Sequence, residues 1–330
     1  MSKVEQLTNQ VFSIGGELDF KHLALEVFQY QYLHNAVYKT YCDLISRNPE
    51  TVKTIEKIPF LPVEFFRSHR VVCESKQVEQ IFTSSGTTSE LPGKHYVTDL
   101  KLYERSFMEG FNMFYGDPAG YCILALLPSY LERSGSSLVY MARHLVEKSR
   151  HPGSGFYLHD LEALTNQLSE LKRNRQKTIL LGVTYALLDL ATLKQHDFPD
   201  LIVMETGGMK GQRPEMIREE VHICLKNGFG VGHVHSEYGM TELLSQAYSK
   251  GDGVFVPPPW MKILIRDTND PFSLVLNGKS GGINIIDLAN LNSCAFIQVQ
   301  DLGKRYEDDS FEVLGRFDHS QVRGCNLMVQ

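Results

Sequence analysis

The sequence lacks paired cysteines, long apolar runs and surplus positive charge, and each absence excludes a class of protein. None of its six cysteines lies at C-x-x-C spacing, which argues against a zinc knuckle, and their low density argues against a disulfide scaffold. The longest apolar stretch, around residues 121–127, is too short to span a bilayer. A formal net charge of −6 argues against a nucleic acid or an anionic membrane as partner.

We expect no secretory signal at the amino terminus, because no apolar run follows the first basic residue. We therefore expect a soluble, cytoplasmic protein with reduced thiols. The 330 residues are 42% hydrophobic and 22% charged, which is an ordinary balance for one large globular domain or two smaller ones.

Hydrophobic patterning predicts an α/β core with a mostly parallel sheet, because helical and buried strand segments alternate. The predicted helices cover residues 22–35, 100–114, 135–148 and 159–173. The predicted strands cover residues 80–84, 121–127, 178–183 and 201–205. After Gly253, short runs separated by Gly, Asn and Asp predict a more antiparallel β subdomain. These runs cover residues 261–266, 273–276, 282–286, 295–299 and 311–314.

The loop over residues 83–94, Thr-Ser-Ser-Gly-Thr-Thr-Ser-Glu-Leu-Pro-Gly-Lys, combines hydroxyl residues, two glycines and a terminal lysine. Backbone N–H groups and hydroxyls of such a loop can line a cavity for a polyphosphate, which Lys94 can neutralise. It is not a Walker A loop, because six residues separate Gly86 from Gly93 and His95 stands where a Ser or Thr would hold magnesium. An ordinary surface turn has a similar composition, so the loop alone leaves both interpretations open.

Residues 236–242, Ser-Glu-Tyr-Gly-Met-Thr-Glu, place an aromatic ring, a threonine and a glutamate close together. Tyr238 can stack on a base, Thr241 can contact a phosphate, and Glu242 can hold the magnesium of MgATP. The same residues fit an ordinary helix start with Ser236 as the cap, and the segment taken alone favours that interpretation.

Three further motifs are weak when each is taken alone. Residues 205–208, Glu-Thr-Gly-Gly, put paired glycines after a predicted strand, where a flat base can approach the backbone or a plain turn can form. Asp301 in Asp-Leu-Gly can accept hydrogen bonds from ribose hydroxyls, although Asp and Gly are also common turn residues. Residues 315–324, Gly-Arg-Phe-Asp-His-Ser-Gln-Val-Arg-Gly, indicate no chemistry by themselves.

In this order, the five motifs resemble the core series of the adenylate-forming superfamily, which includes acyl-CoA ligases, luciferase and adenylation domains. The series runs from residue 83 to residue 324. The resemblance implies an α/β fold, the large amino-terminal-type domain of such an enzyme, with a parallel-sheet core and a smaller β subdomain. Within one compact domain, it implies a mainly helical lead-in over 1–80, a nucleotide-binding α/β core over 81–252, the β subdomain over 253–315 and a hinge-like tail over 316–330.

The resemblance also implies ATP and Mg²⁺ as cofactors and gives roles to individual residues. In this superfamily the first loop wraps the ATP phosphates, the paired glycines and the tyrosine frame adenine, and the aspartate binds ribose. Lys94 and Glu242 are the expected catalytic residues, and Glu242 is also the expected metal ligand. Asp318 matches the hinge residue. The expected ATP- or AMP-binding residues are Thr83, Ser84, Ser85, Gly86, Thr87, Thr88, Gly207, Gly208, Tyr238, Gly239, Thr241, Asp301 and Arg316.

Members of the superfamily usually continue beyond the hinge into a small mobile domain that supplies a lysine, and we expect that domain to be absent here. The short chain and residues 128–138 look most like the acyl-protein synthetases of bacterial bioluminescence. These enzymes activate a fatty acid as acyl-AMP, carry the acyl group on a cysteine near the carboxyl terminus and pass it to a reductase partner. Cys325 stands at the matching place, and the neighbouring Arg323 can lower the pKa of its thiol. An idle, buried cysteine is the alternative.

The sequence therefore predicts activation of a fatty acid as acyl-AMP, followed by transfer of the acyl group to Cys325 and then to a reductase subunit. Two other functions stay open: an acyl-CoA ligase that uses free CoA, and a nucleotide-binding protein without turnover. His233 and His235 alternate before the tyrosine motif, and a structural pair or an acyl-pocket wall is favoured over a metal site. The serine cluster at residues 134–137 predicts a helix cap.

Overall fold

The computed structural model describes residues 3–73, 77–84, 91–128, 135–158, 160–209, 213–214 and 216–317. Within these ranges, helices precede a mostly parallel sheet, and a mostly antiparallel sheet follows it. The helices are α1 (Lys3–Val11), α2 (Glu17–His34), α3 (Ala36–Leu44), α4 (Phe65–Ser68), α5 (Leu100–Tyr115), α6 (Ser137–Ser149), α7 (Leu161–Arg173), α8 (Thr184–Leu193) and α9 (Arg218–Phe229). The first strands are β1 (Leu61–Pro62), β2 (Gln80–Thr83), β3 (Lys94–Val97), β4 (Cys122–Leu126), β5 (Gly155–Phe156), β6 (Thr178–Val183), β7 (Ile202–Thr206), β8 (His235–Tyr238) and β9 (Ala247–Ser249). The later strands are β10 (Val254–Phe255), β11 (Met261–Arg266), β12 (Ser280–Asp287), β13 (Phe296–Arg305) and β14 (Phe311–Arg316).

The first large sheet has the strand order β5-β4-β6-β7-β8-β9, and only its edge strand β9 runs antiparallel to its neighbour. Every residue of β4 and β6 is buried, as expected for central parallel strands covered by helices on both faces. The predicted parallel α/β core is therefore confirmed. Because β7 and β8 are parallel neighbours, their carboxyl ends meet at the same edge of the sheet.

The second large sheet has the order β10-β14-β13-β12-β11, and the short β1 pairs with β13 in parallel. Its other pairings are antiparallel, which confirms the predicted β subdomain. The amino-terminal helices are anchored to the connection between β12 and β13. The amide of Gln31 donates to the carbonyl oxygens of Asn290 and Leu291 at 2.9 Å, and Asn35 donates to that of Ser293 at 3.0 Å.

Two predictions from local pattern were wrong. The helix start with Ser236 as cap is instead the strand β8, because pairing with β7 on one side and β9 on the other overrides the local capping preference. The predicted strand over residues 273–276 is reduced to a single bridge between Arg266 and Leu274. Phe272 and Leu276 around it are exposed, and only Leu274 and Val275 of this segment pack against the core.

The predicted helix cap in the serine cluster is confirmed at Ser136. Its hydroxyl accepts a hydrogen bond from the backbone N–H of Val139 at 3.2 Å, at the start of α6. Among the described residues, no helix is long and apolar enough to cross a membrane.

Candidate active site

A cavity of about 550 Å³ lies where the carboxyl ends of β7 and β8 meet the second sheet and the start of α6. This edge is the usual ligand site in open parallel sheets. All five sequence motifs contribute to its wall. The expected site residues that line it are Ser84, Gly207, Gly208, Tyr238, Gly239, Thr241, Glu242, Asp301 and Arg316. The fold thus brings together residues that are distributed over most of the chain.

One corner of the cavity is formed by Tyr238, Asp301 and Arg316. The tyrosine hydroxyl donates to Oδ2 of Asp301 at 2.8 Å, and Nε of Arg316 lies 3.4 Å from Oδ1. Asp301 and Arg316 face each other across β13 and β14, so the antiparallel register holds this pair together. Burial raises the pKa of Asp301, while the hydrogen bond from Tyr238 and the charge of Arg316 oppose that shift. The corner therefore offers a fixed carboxylate beside an aromatic ring and an accessible cation.

Glu242 lies at the base of the loop over residues 83–94, which the sequence predicts to bind phosphate. The backbone N–H of Gly93 donates to the hydroxyl of Ser84 at 2.8 Å, which closes the two ends of that loop. The Glu242 carboxyl packs so closely against Gly93 that a Cβ there would overlap Oε1. Burial raises the pKa of Glu242 to about 7, although the charges of Arg67 and Arg316 oppose the shift. This buried carboxyl faces two cationic side chains, of which sequence reasoning had missed Arg67.

A hydrogen-bonded network behind the cavity holds the backbone of Thr241 and Glu242. Nδ1 of the buried His95 lies 2.8 Å from the Thr241 carbonyl oxygen, and Nε2 lies 3.0 Å from Oδ1 of Asn290. The Asn290 amide donates to the Glu242 carbonyl oxygen at 2.7 Å. Burial lowers the pKa of His95 to about 4. No motif in the sequence points to Asn290, because the connection between β12 and β13 reaches this site only in the folded chain.

A second part of the wall lies beyond β8, on the side of α5 and α6. Glu237 is buried there, and its Oε2 accepts a hydrogen bond from the hydroxyl of Thr206 at 2.5 Å. Gln246 lines the same wall, with Tyr103 of α5 and Met141 of α6. Burial raises the pKa of Glu237 to about 7, and the charge of nearby Glu205 adds to the shift. Sequence reasoning had given Glu237 no role in the site.

Not every expected site residue lines the cavity. Lys94 is exposed at the start of β3, next to Gly93, and its cross-strand partner Thr83 ends β2. Both belong to the strands that carry the expected phosphate loop, but neither contributes to the cavity wall described above. Other predicted residues lie outside the described ranges: Ser85, Gly86, Thr87, Thr88, Asp318 and Cys325.

The two alternating histidines lie apart from the cavity wall. Nδ1 of His235 lies 3.1 Å from the Tyr115 hydroxyl, which joins β8 to α5, and burial lowers the pKa of His235 to about 4. Within the described ranges, no group of three or more His, Cys, Asp or Glu side chains is arranged to hold a metal ion.

The chain resembles known proteins in sequence. The model of the family "Acyl-protein synthetase, LuxE" matches residues 16–106. The long-chain-fatty-acid–luciferin-component ligase of Vibrio harveyi is 22% identical over 327 residues, which cover 91% of this chain and 84% of that protein.

Two solved structures represent the similarity in fold. A crystal structure of an open conformation of 2-hydroxyisobutyryl-CoA ligase, in complex with 2-HIB-AMP and CoA, has a TM-score of 0.68 at 14% identity and covers 92% of this chain and 71% of that one. ATP-bound MatB from Rhodopseudomonas palustris has a TM-score of 0.55 at 18% identity and covers 73% of this chain and 48% of that one. The chain thus has the α/β fold of the adenylate-forming ligases, as the motif series predicts, and resembles the acyl-protein synthetase family over residues 16–106.

Proposed function

We propose that this protein activates a carboxylic acid with ATP as acyl-AMP and transfers the acyl group to a cysteine thiol. The observation that carries the proposal is the single cavity to which all five nucleotide-binding motifs contribute. The match to the acyl-protein synthetase family supports the same reaction.

In this proposal the nucleotide occupies the corner of Tyr238, Asp301 and Arg316. The Asp301 carboxylate accepts hydrogen bonds from the ribose hydroxyls, and the hydroxyl of Tyr238 fixes its orientation from the other side. The adenine lies between the Tyr238 ring and the backbone of Gly207 and Gly208, which bear no side chains to block a flat base. Hydroxyls of the loop over residues 83–94 and Lys94 receive the phosphates.

The residues present also fit a magnesium ion that accompanies ATP. Mg²⁺ in nucleotide sites is typically held by one or two carboxylates together with the phosphates, and Glu242 supplies one such carboxylate in the cavity. The buried carboxyl has a raised pKa, so a cation bound beside it would favour its ionised form. The ion, when bound, would neutralise charge on the phosphates.

The reaction then has two steps. An oxygen of the substrate carboxylate attacks the α-phosphorus of ATP, the bond from that phosphorus to the pyrophosphate oxygen breaks, and acyl-AMP forms. A thiolate next attacks the acyl carbon and AMP leaves with the bonding electrons, which gives a thioester. We assign the acid to the long-chain fatty acids, because the Vibrio harveyi relative is named for such a substrate. We assign the thiol to Cys325, because of its place in the sequence resemblance. A reductase subunit is the proposed acceptor.

Exchange of labelled pyrophosphate into ATP tests the first step. Fatty, aromatic and amino acids are each added to the purified chain, and we expect exchange to depend on the acid, with fatty acids ahead of amino acids. Asp301→Asn should raise the KM for ATP, whereas Asp200→Asn, which makes the same change at an exposed position, should not. If ATP binds but no acid supports exchange, the protein is a nucleotide-binding protein without turnover.

Addition of free CoA tests the second step. Acyl-CoA formation with no acyl label on the protein would contradict transfer to a protein cysteine and would identify the chain as a CoA ligase.

A further inference from the structure

Side chains from both faces of β8 line the cavity, and we call the parts of the cavity beside these two faces its branches. Successive side chains on a strand point to opposite faces, and here Tyr238 points to Asp301 in the second sheet while Glu237 points to Thr206 and α5. If the nucleotide occupies the Tyr238 side, as proposed above, then the acyl part of the substrate occupies the branch that contains Glu237.

This acyl branch is not uniformly apolar. Tyr103, Leu138 and Met141 supply apolar surface, as an alkyl chain requires. Glu237 and Gln246 also line it, and only 8% and 6% of these residues are exposed. Two buried polar side chains in one branch are costly unless a bound group satisfies them.

The hydrogen bonding of these two side chains is incomplete among the described residues. The hydroxyl of Thr206 donates to Oε2 of Glu237, and Oε1 receives no hydrogen bond from Thr206. The Gln246 Oε1 atom is buried and has no hydrogen-bond partner in the described part of the chain. Gly239 lies between them, since a Cβ added there would meet both Oε1 of Glu237 and Cγ of Gln246. Because position 239 has no side chain, the Glu237 carboxyl can lie directly against the backbone there, next to Gln246.

We infer that Glu237 and Gln246 form a specificity site for a hydrogen-bond donor, a hydroxyl or an amino group, on the chain of the acid. The inference rests on the proposed function, because it assigns the acyl chain to this branch. A hydroxyl can fit the pair: it donates its one hydrogen to the carboxyl oxygen of Glu237, and its oxygen accepts from the amide N–H of Gln246. A plain alkyl chain would leave both polar groups unsatisfied, and sites built for a hydrogen bond reject substrates that lack one.

Pyrophosphate exchange with paired acids tests this site. Each pair has equal chain length and differs by one hydroxyl, which is moved along the chain from pair to pair. We expect wild-type kcat/KM to favour a hydroxy acid over its plain partner by roughly tenfold or more at one hydroxyl position.

Apolar replacement of the polar groups gives a second readout. Glu237→Met and Gln246→Met preserve approximate volume, and each should lower kcat/KM for the hydroxy acid and raise it for the plain acid. Damage to the fold would instead lower kcat/KM for both acids. Opposite changes for the two acids therefore indicate an effect on specificity and not on the fold. Glu147→Met, at an exposed position of α6, is the control and should leave the ratio unchanged.

Glu237→Gln distinguishes the two donors. A hydroxyl can still bond to the new amide, so kcat/KM for a hydroxy acid should fall only severalfold. An amino acid would lose its ionic partner, and its kcat/KM should fall by a larger factor.

The outcomes separate this inference from the function beneath it. If plain acids are preferred at every hydroxyl position and neither methionine variant moves the ratio, the specificity site is refuted while acid activation stands. If no acid of any kind supports exchange, both the proposed function and the specificity site are refuted.

Discussion

Glu237 allows the electrostatics of the cavity to be tested without any substrate. Burial raises the pKa of this carboxyl from 4.5 to about 7. Between pH 4.5 and about pH 7, Glu237 keeps its proton in the folded protein but has released it in the unfolded chain. The contribution of Glu237 to the free energy of unfolding is therefore full below pH 4.5 and is lost as the pH rises to about 7. No further loss is expected at higher pH. The whole difference corresponds to about 3 kcal/mol.

Glu237→Gln removes this titration and keeps an oxygen that can accept from Thr206. Urea unfolding of wild type and variant at pH 5, 6, 7 and 8 gives the difference between their free energies of unfolding. We expect wild type to lose up to about 3 kcal/mol relative to the variant over this range, most of it below pH 7. Other shifted groups, such as Glu242 and His95, titrate in both proteins and cancel in the difference.

Glu147→Gln is the matched control, because it makes the same change at an exposed position of α6. Its difference from wild type should stay constant over the same pH range. A constant difference for Glu237→Gln as well, or one that favours wild type as the pH rises, would show that this carboxyl is not held protonated by burial.

Three further results are expected. Glu242→Gln and Lys94→Ala should each lower acid-dependent pyrophosphate exchange by roughly 10²–10³ without lowering the melting temperature, and near wild-type exchange would contradict the role given to that residue. Cys325→Ala should still form acyl-AMP but should carry no hydroxylamine-sensitive acyl label in intact-mass analysis; a label that persists would place the thioester on another cysteine. Tyr238→Phe removes the hydrogen bond to Asp301, worth about 1 kcal/mol, so steady-state kinetics should show the KM for ATP rising roughly fivefold.

Local sequence was sufficient for elements whose pattern and environment agree. The strands Thr178–Val183 and Met261–Arg266 have the bounds that their apolar runs predict, because a strand whose residues are all buried requires such a run. The prediction was wrong where pairing with neighbouring strands outweighs the local conformational preference of a segment. The strand His235–Tyr238 looks like a helix start until its pairing with two neighbouring strands is known.

The same distinction holds for the candidate site. The sequence by itself determined the fold class and the order of the motifs, since these depend on residue type and spacing along the chain. Only the tertiary structure decided that Arg67, His95 and Asn290 approach Glu242, because these residues come from separate elements that meet after folding. It also decided the environment of Glu237: one residue before the motif tyrosine in sequence, its side chain points to the opposite face of the strand, where burial changes its pKa.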